Sequence, residues 1–259
     1  MNDLLTINPQ KEKEKIVSFV RKTFAKQHIQ KAVIGISGGI DSAVSFSLLK
    51  EALMPENIIV VHLSYFESKF SEMEKVIKDA NIPQENIHHI SIKEPTDAML
   101  QVQQIDASEI NKVRIGNIAA RMRMIVLYDL AKKVNGLVCG TENKSENLLG
   151  YFTRFGDQAS DIEPIEHLYK TQVYQLAKYL NLPDAIITQQ PSAGLWQGQT
   201  DEGQFGFTYE EADQVLFLHF EKKLVVEIIE KLGFTNAKKI LNWHAKNLFK
   251  HQTPYTLSD

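Results

Sequence analysis

The sequence contains a single cysteine, Cys139, among its 259 residues. One cysteine cannot close an internal disulfide or supply a four-thiolate zinc site, and such a composition is typical of a reducing compartment. The sequence also lacks an uncharged apolar run of the roughly 18 residues that a membrane helix needs, and its N-terminal residues lack the apolar core of a secretion signal. We therefore expect a cytoplasmic protein without a membrane anchor.

A large excess of positive charge is absent as well. The chain has 29 Lys and Arg against 32 Asp and Glu, which gives a formal net charge of −3. Proteins that bind nucleic acid through its phosphates usually carry a strongly basic face, so we expect small molecules rather than nucleic acid as partners. Internal repeats and low-complexity tracts are also missing. The length and the 43% hydrophobic content predict one compact domain over residues 1–259.

Short apolar segments alternate with helical segments along the chain. The apolar, β-rich segments are 31–36, 58–63, 86–92 and 136–140. Helical periodicity predicts helices over 10–27, 42–53, 70–82, 109–134, 170–180, 208–218, 222–232 and 235–246. Residues 143–165 are predicted to form a short helix followed by a functional loop, and 191–207 a second, glycine-rich loop. This alternation predicts an α/β fold, with a doubly wound, mostly parallel sheet flanked by helices.

The most distinctive motif is GISGGIDS at residues 35–42, directly after the first predicted strand. Two adjacent glycines at the start of a helix allow several backbone N–H groups to converge on one anion, with the helix dipole behind them. Asp41, just inside the helix, is suitably placed to hold a magnesium ion on a phosphate. The alternative is a simple turn at Gly38 and Gly39, with Asp41 only complementing the helix dipole.

The motif SGGxDS resembles the pyrophosphate loop (PP-loop) of the ATP pyrophosphatase family, whose members split ATP between its α and β phosphates. Further segments resemble, in order and spacing, the ammonia-dependent NAD synthetases within that superfamily. They are NIAARMRM at 117–124, GTENKSE at 140–146, GYFTRFGD at 150–157, and the block PSAGLWQGQTDEGQFGFTYEEAD at 191–213. The resemblance implies an adenine nucleotide alpha hydrolase-like fold and the ATP-dependent amidation of deamido-NAD by ammonia to NAD. An acyl-adenylate would form, and AMP and pyrophosphate would be released.

The resemblance also implies roles for individual residues. The implied ATP contacts are Gly35, Ile36, Ser37, Gly38, Gly39, Ile40, Asp41, Ser42, Thr141, Lys170 and Ser192. Asp41 and Lys170 are the implied catalytic residues, and Asp41 and Glu146 the implied ligands of Mg²⁺. The implied deamido-NAD contacts are Arg121, Arg154, Asp161 and Lys250. Arg154 stands where the family usually has lysine, and Lys250 lies in FKHQTP at 249–254, which matches the family only in part.

The arginines Arg121 and Arg123 lie two positions apart on one predicted helix, so they point roughly 200° apart and cannot line one pocket together. Arg121 is similar to the family arginine that reaches the substrate across a homodimer interface. The resemblance therefore implies a homodimer with the substrate site at the interface. Taken alone, both arginines are equally consistent with solvated surface charges.

Two other functions remain open from the residues. One is a tRNA-modifying enzyme with the same loop, although sulfur transfer usually needs paired cysteines and a basic RNA-binding face. The other is a nucleotide-binding protein without catalytic activity. Cys139, inside an apolar strand, is expected to be a core residue rather than a nucleophile. Only 34 residues precede Gly35, too few for an amidotransferase domain, so we expect free ammonia as the nitrogen source.

Overall fold

A computed structural model of the chain describes residues 4–66, 70–106, 108–196, 198–251 and 254–257. Three of the interpreted segments include residues outside these ranges. They are the 191–207 loop and the 191–213 block, at residue 197, and the 249–254 segment, at residues 252 and 253. At these positions the interpretation lies outside the described residues.

The described residues form one sheet of four parallel strands in the order β3-β2-β1-β4. The strands are β1 Lys31–Gly35, β2 Ile58–Ser64, β3 Ile87–Ser91 and β4 Gly136–Cys139. The chain adds β2 and β3 on one side of β1 and then returns to add β4 on the other. In open sheets of this kind, ligands bind where the strand order reverses, at the carboxyl ends of the strands. Here that point lies between β1 and β4.

Twelve α-helices precede, connect and follow these strands in the described part of the chain. They are α1 Pro9–Gln27, α2 Ile40–Ala52, α3 Ser71–Asp79, α4 Lys93–Val102, α5 Lys112–Val134, α6 Lys144–Leu149, α7 Lys170–Tyr179, α8 Asp184–Ile187, α9 Asp201–Phe205, α10 Tyr209–Phe220, α11 Val226–Lys231 and α12 Ala237–Asn247. Short 3₁₀ turns occupy 55–57, 84–86, 109–111 and 248–250. None of the helices within the described ranges combines the length and apolar character needed to cross a membrane.

Several helices differ from those expected from the sequence. The helices α4 and α8 were not predicted, and α9 lies inside the 191–207 segment that was predicted as a loop. Helices of four or five residues are too short to show a 3.6-residue period, and in α4 only Thr96 is fully buried. The helix predicted from 222 begins only at Val226, because Lys223 has a left-handed backbone with φ +59°.

Successive residues of the strands enter two separate cores. Ala32 and Ile34 pack on one side of the sheet with α1, α2 and α7, whereas Val33 faces α5 on the other side. In β2, Ile58 and Val60 share the first core, while Ile59 and Val61 share the second. Strands that bury both faces are typical of a parallel sheet covered by helices. The predicted doubly wound α/β fold is therefore confirmed.

A third core is formed by the C-terminal helices. Residues of α10, α11 and α12 pack around Phe205, Tyr169 and Leu149. Leu149 closes α6, and Tyr169 immediately precedes α7. This helical cluster therefore packs against the end of α6 and the beginning of α7.

Candidate active site

The loop at 35–42 has the geometry of an anion cradle. Gly38 adopts φ +91°, a conformation that favours glycine, and Gly39 caps the first turn of α2. Two hydroxyls hold the loop in place: Ser37 Oγ accepts from the Gly39 N–H at 3.1 Å, and Ser42 Oγ donates to the Gly39 carbonyl at 2.9 Å. The positive end of the α2 dipole lies at this loop. A phosphate group fits the electrostatics of this position.

Lys170 lies between two carboxylates that the loop and α6 provide. Its Nζ is 2.5 Å from Asp41 Oδ2 and 3.1 Å from Glu146 Oε1. Lys170 is the first residue of α7 and only 2% exposed. The three residues are widely separated in the sequence, and the structure brings their side chains together.

The electrostatics of this cluster favour an additional cation. Burial raises the pKa of Glu146 to about 8, against the attraction of Lys170 and with repulsion from Asp41. Burial opposes the charge of Lys170, but Asp41 and Glu146 outweigh this and raise the pKa of the ammonium above its usual value. One buried ammonium group therefore faces two carboxylates, with a third, Asp201, nearby.

The two carboxylates suit Mg²⁺, which prefers hard oxygen ligands. In the described part of the chain, no three His, Cys, Asp or Glu side chains converge as a self-contained metal site. A magnesium ion held by Asp41 and Glu146 would complete its coordination with phosphate oxygens and water, as is usual for magnesium–nucleotide sites. The donor set therefore fits an ion that arrives with a nucleotide.

Asn143 connects the loop to α6. Its side chain caps α6 by accepting the Glu146 N–H at 3.0 Å, and its Nδ2 donates to Asp41 Oδ1 at 2.9 Å. Glu146 Oε2 in turn accepts the Asn143 N–H at 3.4 Å, which completes a capping box. Asn143 is not among the residues singled out from the sequence, although an Asn three residues before a Glu is the signal for this motif.

Asp213, on α10, holds the first turn of α7. It is fully buried, accepts a hydrogen bond from the Ser145 hydroxyl, and accepts the Thr171 N–H at 2.8 Å. The same hydroxyl accepts the Lys170 N–H at 2.8 Å. Burial raises the pKa of Asp213 to about 6. Asp213 is also not among the residues singled out from the sequence, because it is a single polar residue on an otherwise apolar helix face.

The glycine-rich segment 191–207 is connected to the cluster of Lys170, Asp41 and Glu146 through Asp201 and Tyr209. The Tyr209 ring lies 5.2 Å from Lys170 Nζ, and its hydroxyl donates to Asp201 Oδ2 at 3.1 Å. Asp201 Oδ1 accepts the Ala193 N–H at 2.9 Å. Ser192, the predicted ATP contact, is exposed beside this hydrogen bond. Neither Asp201 nor Tyr209 was identified from the sequence.

The end of β4 contributes the remaining predicted ATP contact. Thr141 is partly buried two residues beyond Cys139. Cys139 itself is 2% exposed, and burial raises the pKa of its thiol well above the usual value. A thiol in this environment is a poor nucleophile, as expected for a core residue.

The predicted deamido-NAD residues lie at a different part of the site. Arg121 is exposed, and its Nη2 donates to the Arg154 carbonyl at 3.2 Å. The Arg154 guanidinium stacks over the Phe249 ring at 5.7 Å, and Lys250 Nζ donates to the Phe152 carbonyl at 3.0 Å. Three predicted cations, Arg121, Arg154 and Lys250, therefore gather around the segment 150–156.

Arg123 and Asp161 form hydrogen bonds with backbone groups of strands β2 and β4, respectively. Arg123 Nε donates to the Leu63 carbonyl at 3.1 Å, so it points into the molecule while Arg121 points out, as the helical spacing predicted. Asp161 Oδ2 accepts the Val138 N–H at 2.7 Å, and the Tyr128 hydroxyl interacts with the same carboxylate. The structure thus places Asp161 at the strand β4.

A second pair of carboxyl groups, Glu142 and Glu163, was not identified from the sequence. Glu163 Oε2 accepts the Glu142 N–H at 3.1 Å, and Glu163 Oε1 accepts the Ser160 hydroxyl at 2.8 Å. The carboxyl group of Glu163 lies directly over Gly140, where a Cβ atom would come within 1.8 Å of it. Any side chain at position 140 would therefore force the Glu163 carboxyl group to move from this place.

Comparisons with known proteins decide the family. The family model described as NAD synthase matches residues 12–254. The chain belongs to the NAD synthase family. An NH(3)-dependent NAD(+) synthetase of Thermoplasma volcanium is 43% identical over 249 residues, which cover 96% of this chain and 98% of the relative. The resemblance on which the sequence analysis relied is therefore confirmed.

Two solved structures resemble this NAD synthase family member closely. An NH3-dependent NAD synthetase from Campylobacter jejuni aligns with a TM-score of 0.78 at 34% identity, covering 97% of this chain and all of that one. An NMN synthetase from Francisella tularensis aligns with a TM-score of 0.81, also at 34% identity, covering 98% of this chain and all of that one. The fold thus occurs in proteins named for two different products.

In this NAD synthase family member, replacing Glu163 with glutamine should alter the pH dependence of stability. Burial raises the pKa of Glu163 from 4.5 to about 8. Because the folded protein holds this proton more tightly than the unfolded chain, the free energy of unfolding falls as pH rises through this interval. We expect Glu163 to contribute about 2 kcal/mol to this decrease in the free energy of unfolding. The contribution is smaller than its full pKa shift would give, because the Glu163 side chain is partly exposed to solvent.

The measurement is urea unfolding of wild type and Glu163→Gln at about pH 5 and about pH 8.5. The fall in the free energy of unfolding from about pH 5 to about pH 8.5 should be smaller in the variant, since glutamine does not ionise. Equal differences in the two proteins would contradict the assignment.

Proposed function

We propose that the chain converts deamido-NAD to NAD with ammonia and ATP. The observation that carries this proposal is the cluster of Lys170, Asp41 and Glu146 beside the glycine loop, in a member of the NAD synthase family. The cluster provides charge neutralisation for a triphosphate and contains no activated nucleophile. It is therefore suited to activating a carboxylate that belongs to a substrate.

The first step is adenylation. The nicotinate carboxylate attacks the α-phosphate of ATP, and pyrophosphate leaves. The backbone N–H groups of the 35–42 loop receive the departing pyrophosphate, and Lys170 offsets the negative charge that grows during transfer. Magnesium, when held by Asp41 and Glu146, supplies further neutralisation of the phosphates. In the second step ammonia displaces AMP from the acyl-adenylate.

The segments 150–163 and 191–207 are proposed to cover the bound substrates. The Asp201–Ala193 hydrogen bond and the Tyr209 ring connect the second segment to Lys170. Covering the adenylate excludes water, which would otherwise hydrolyse it. This proposal also includes the predicted roles of Thr141 and Ser192 as ATP contacts.

A homodimer is part of the proposal. Val113, Arg121 and Ile125 are separated by multiples of four residues and share the exposed face of α5, with Val102 of α4 and Ile110 just before α5 also exposed. Val102 is 80% exposed and Ile110 87%. An apolar surface beside a proposed substrate contact favours a second copy of the chain as its partner.

Sedimentation tests the dimer. We expect the wild type to sediment at twice the chain mass, and Ile110→Glu to weaken association by at least about tenfold, because a carboxylate would be buried at the interface. Met54→Glu is the matched control, since Met54 is 61% exposed in a different part of the chain. A monomeric wild type would contradict the shared-site proposal.

Arg121→Ala is expected to raise KM for deamido-NAD about tenfold while leaving KM for ATP nearly unchanged, because one charged contact to the acceptor is lost. Steady-state kinetics with each substrate varied in turn provide the measurement. Arg114→Ala removes an exposed arginine of the same helix and serves as the control. A larger effect on ATP than on deamido-NAD would be evidence against this role.

Nicotinic acid mononucleotide is a second candidate acceptor. The reason is that a solved structure named as an NMN synthetase aligns with 98% of this chain at a TM-score of 0.81. Nicotinic acid mononucleotide carries the same carboxylate as deamido-NAD but lacks the AMP half. The chemistry at Lys170 would be identical for both acceptors.

The deciding experiment supplies purified protein with ATP, magnesium and ammonium, and with either deamido-NAD or nicotinic acid mononucleotide. Amide formation that requires every component, with a higher kcat/KM for deamido-NAD, is the expected result. A preference for the mononucleotide would reassign the acceptor, and no amide from either would refute the proposal. Glutamine in place of ammonium tests the nitrogen donor, and the cytoplasmic location stays a prediction.

A further inference from the structure

Every carboxylate oxygen of Asp41 and Glu146 already accepts from a donor of the protein. Lys170 Nζ lies 2.5 Å from Asp41 Oδ2 and 3.1 Å from Glu146 Oε1. Asn143 engages the two remaining oxygens: its Nδ2 donates to Asp41 Oδ1 at 2.9 Å, and its N–H donates to Glu146 Oε2 at 3.4 Å. A metal ion that binds both carboxylates therefore has to share an oxygen with one of these donors or displace it.

The donor that a metal ion would displace is the ammonium group of Lys170. Asn143 is fully buried and also caps α6, because its Oδ1 accepts the Glu146 N–H at 3.0 Å. Losing its contacts would undo that cap. Lys170 instead joins the two carboxylates through a single positive charge, and two cations held by the same pair of oxygens repel each other strongly in a buried site. Magnesium and the Lys170 ammonium therefore compete for Asp41 and Glu146.

Lys170 cannot give up these partners without a replacement. Its side chain is only 3% exposed, whereas the side chains of Asp41 and Glu146 are 17% and 18% exposed. The backbone of Lys170 is anchored, because its N–H donates to Ser145 Oγ at 2.8 Å, so the exchange has to come from rotation of the side chain. A buried ammonium group that loses its carboxylates is strongly destabilised.

A phosphate in the neighbouring 35–42 loop is a suitable replacement partner. Asp41 belongs to that loop, and the Lys170 ammonium contacts Asp41 directly. Phosphate oxygens form charge-assisted hydrogen bonds with ammonium groups, as carboxylate oxygens do. A bound triphosphate would therefore offer Lys170 new acceptors within the reach of one side-chain rotation.

We propose that the Lys170 ammonium is an exchangeable counter-ion, which keeps magnesium from Asp41 and Glu146 until nucleotide phosphates draw it away. The phosphates then take the ammonium, and the two freed carboxylates take the metal ion. No covalent bond changes in this exchange. The inference rests on the magnesium site of the proposed function and adds an order to it: magnesium binds tightly only together with the nucleotide.

The test is magnesium binding in the absence of nucleotide, measured by calorimetry on wild type and on Lys170→Met. Methionine has a similar length and removes the competing charge. We expect magnesium to bind Lys170→Met at least about tenfold more tightly than wild type. Without nucleotide, magnesium should also raise the Tm of Lys170→Met and leave that of wild type nearly unchanged. Adding Asp41→Asn to Lys170→Met should abolish both gains, which would locate them at this cluster.

Lys144→Met is the matched control, because Lys144 pairs with Glu221 outside the cluster, and it should bind magnesium as weakly as wild type. Lys170→Gln is a second neutral variant and should show the same gain if Lys170→Met does not fold. The wild type gives an independent check, since Asp41→Asn should not change its weak binding of magnesium without nucleotide.

Equal magnesium affinities in wild type and the neutral variants would overturn the inference. Tight magnesium binding to wild type without nucleotide would overturn it as well, if Asp41→Asn removes that binding. These measurements contain no acceptor and no ammonium. Failure of the proposed function would therefore be seen separately, as a wild type that forms no amide.

Discussion

Replacing Lys170 with methionine is expected to lower the rate of adenylate formation by about three orders of magnitude. Methionine has a similar length but cannot offset the charge on the phosphates during transfer. It also leaves Asp41 and Glu146 facing each other without the ammonium that lies 2.5 Å and 3.1 Å from their oxygens. The measurement is pyrophosphate exchange that depends on deamido-NAD.

Lys144→Met is the control for this variant. Lys144 opens α6 and pairs with Glu221 at 2.6 Å, outside the Asp41 cluster. Its replacement should leave adenylation near the wild-type rate. Adenylation by Lys170→Met within tenfold of wild type would show that the buried lysine has a structural role only.

A comparable loss, about three orders of magnitude in adenylation, is expected for Asp41→Asn and for Glu146→Gln. Each change removes one proposed ligand of magnesium while preserving the shape of the side chain. In Asp41→Asn the oxygen that accepts from Asn143 can be retained, so the capped start of α6 should persist. The loss should therefore arise from metal and phosphate binding rather than from the fold.

Calorimetry gives a readout that does not depend on turnover. Magnesium should strengthen ATP binding to the wild type and have much less effect in either variant. Asp129→Asn, which changes an exposed carboxylate of α5, serves as the control. Full activity in both Asp41→Asn and Glu146→Gln would remove the metal assignment.

The sequence draws attention to Asp41, Glu146 and Lys170 because each occurs in a compact, recognisable segment. Asp41 and Glu146 lie in segments with a recognisable pattern, and Lys170 begins a helix, where a lysine opposes the dipole and calls for another explanation. The structure brings all three within hydrogen-bonding distance. Their roles in binding and catalysis stay predictions until the variants are measured.

The residues that contact this cluster from other segments are not evident in the sequence. Asp213 is separated from Lys170 by about forty positions and is a single polar residue on an apolar helix face. Tyr209 and Asp201 likewise act through contacts that only the packing of α9 and α10 creates. A sequence pattern reports local periodicity, and these contacts are not local.

The sequence by itself determined the parallel α/β architecture, the phosphate loop and the family, because strand alternation, glycine turns and ordered motifs are all encoded over short stretches. Only the tertiary structure decided which charges meet. It buried Glu142 beside Glu163 and placed Lys170 between the carboxylates of Asp41 and Glu146. The pKa of a buried group depends on the distance to charges from other segments and on the loss of water around it, and both are properties of the folded chain.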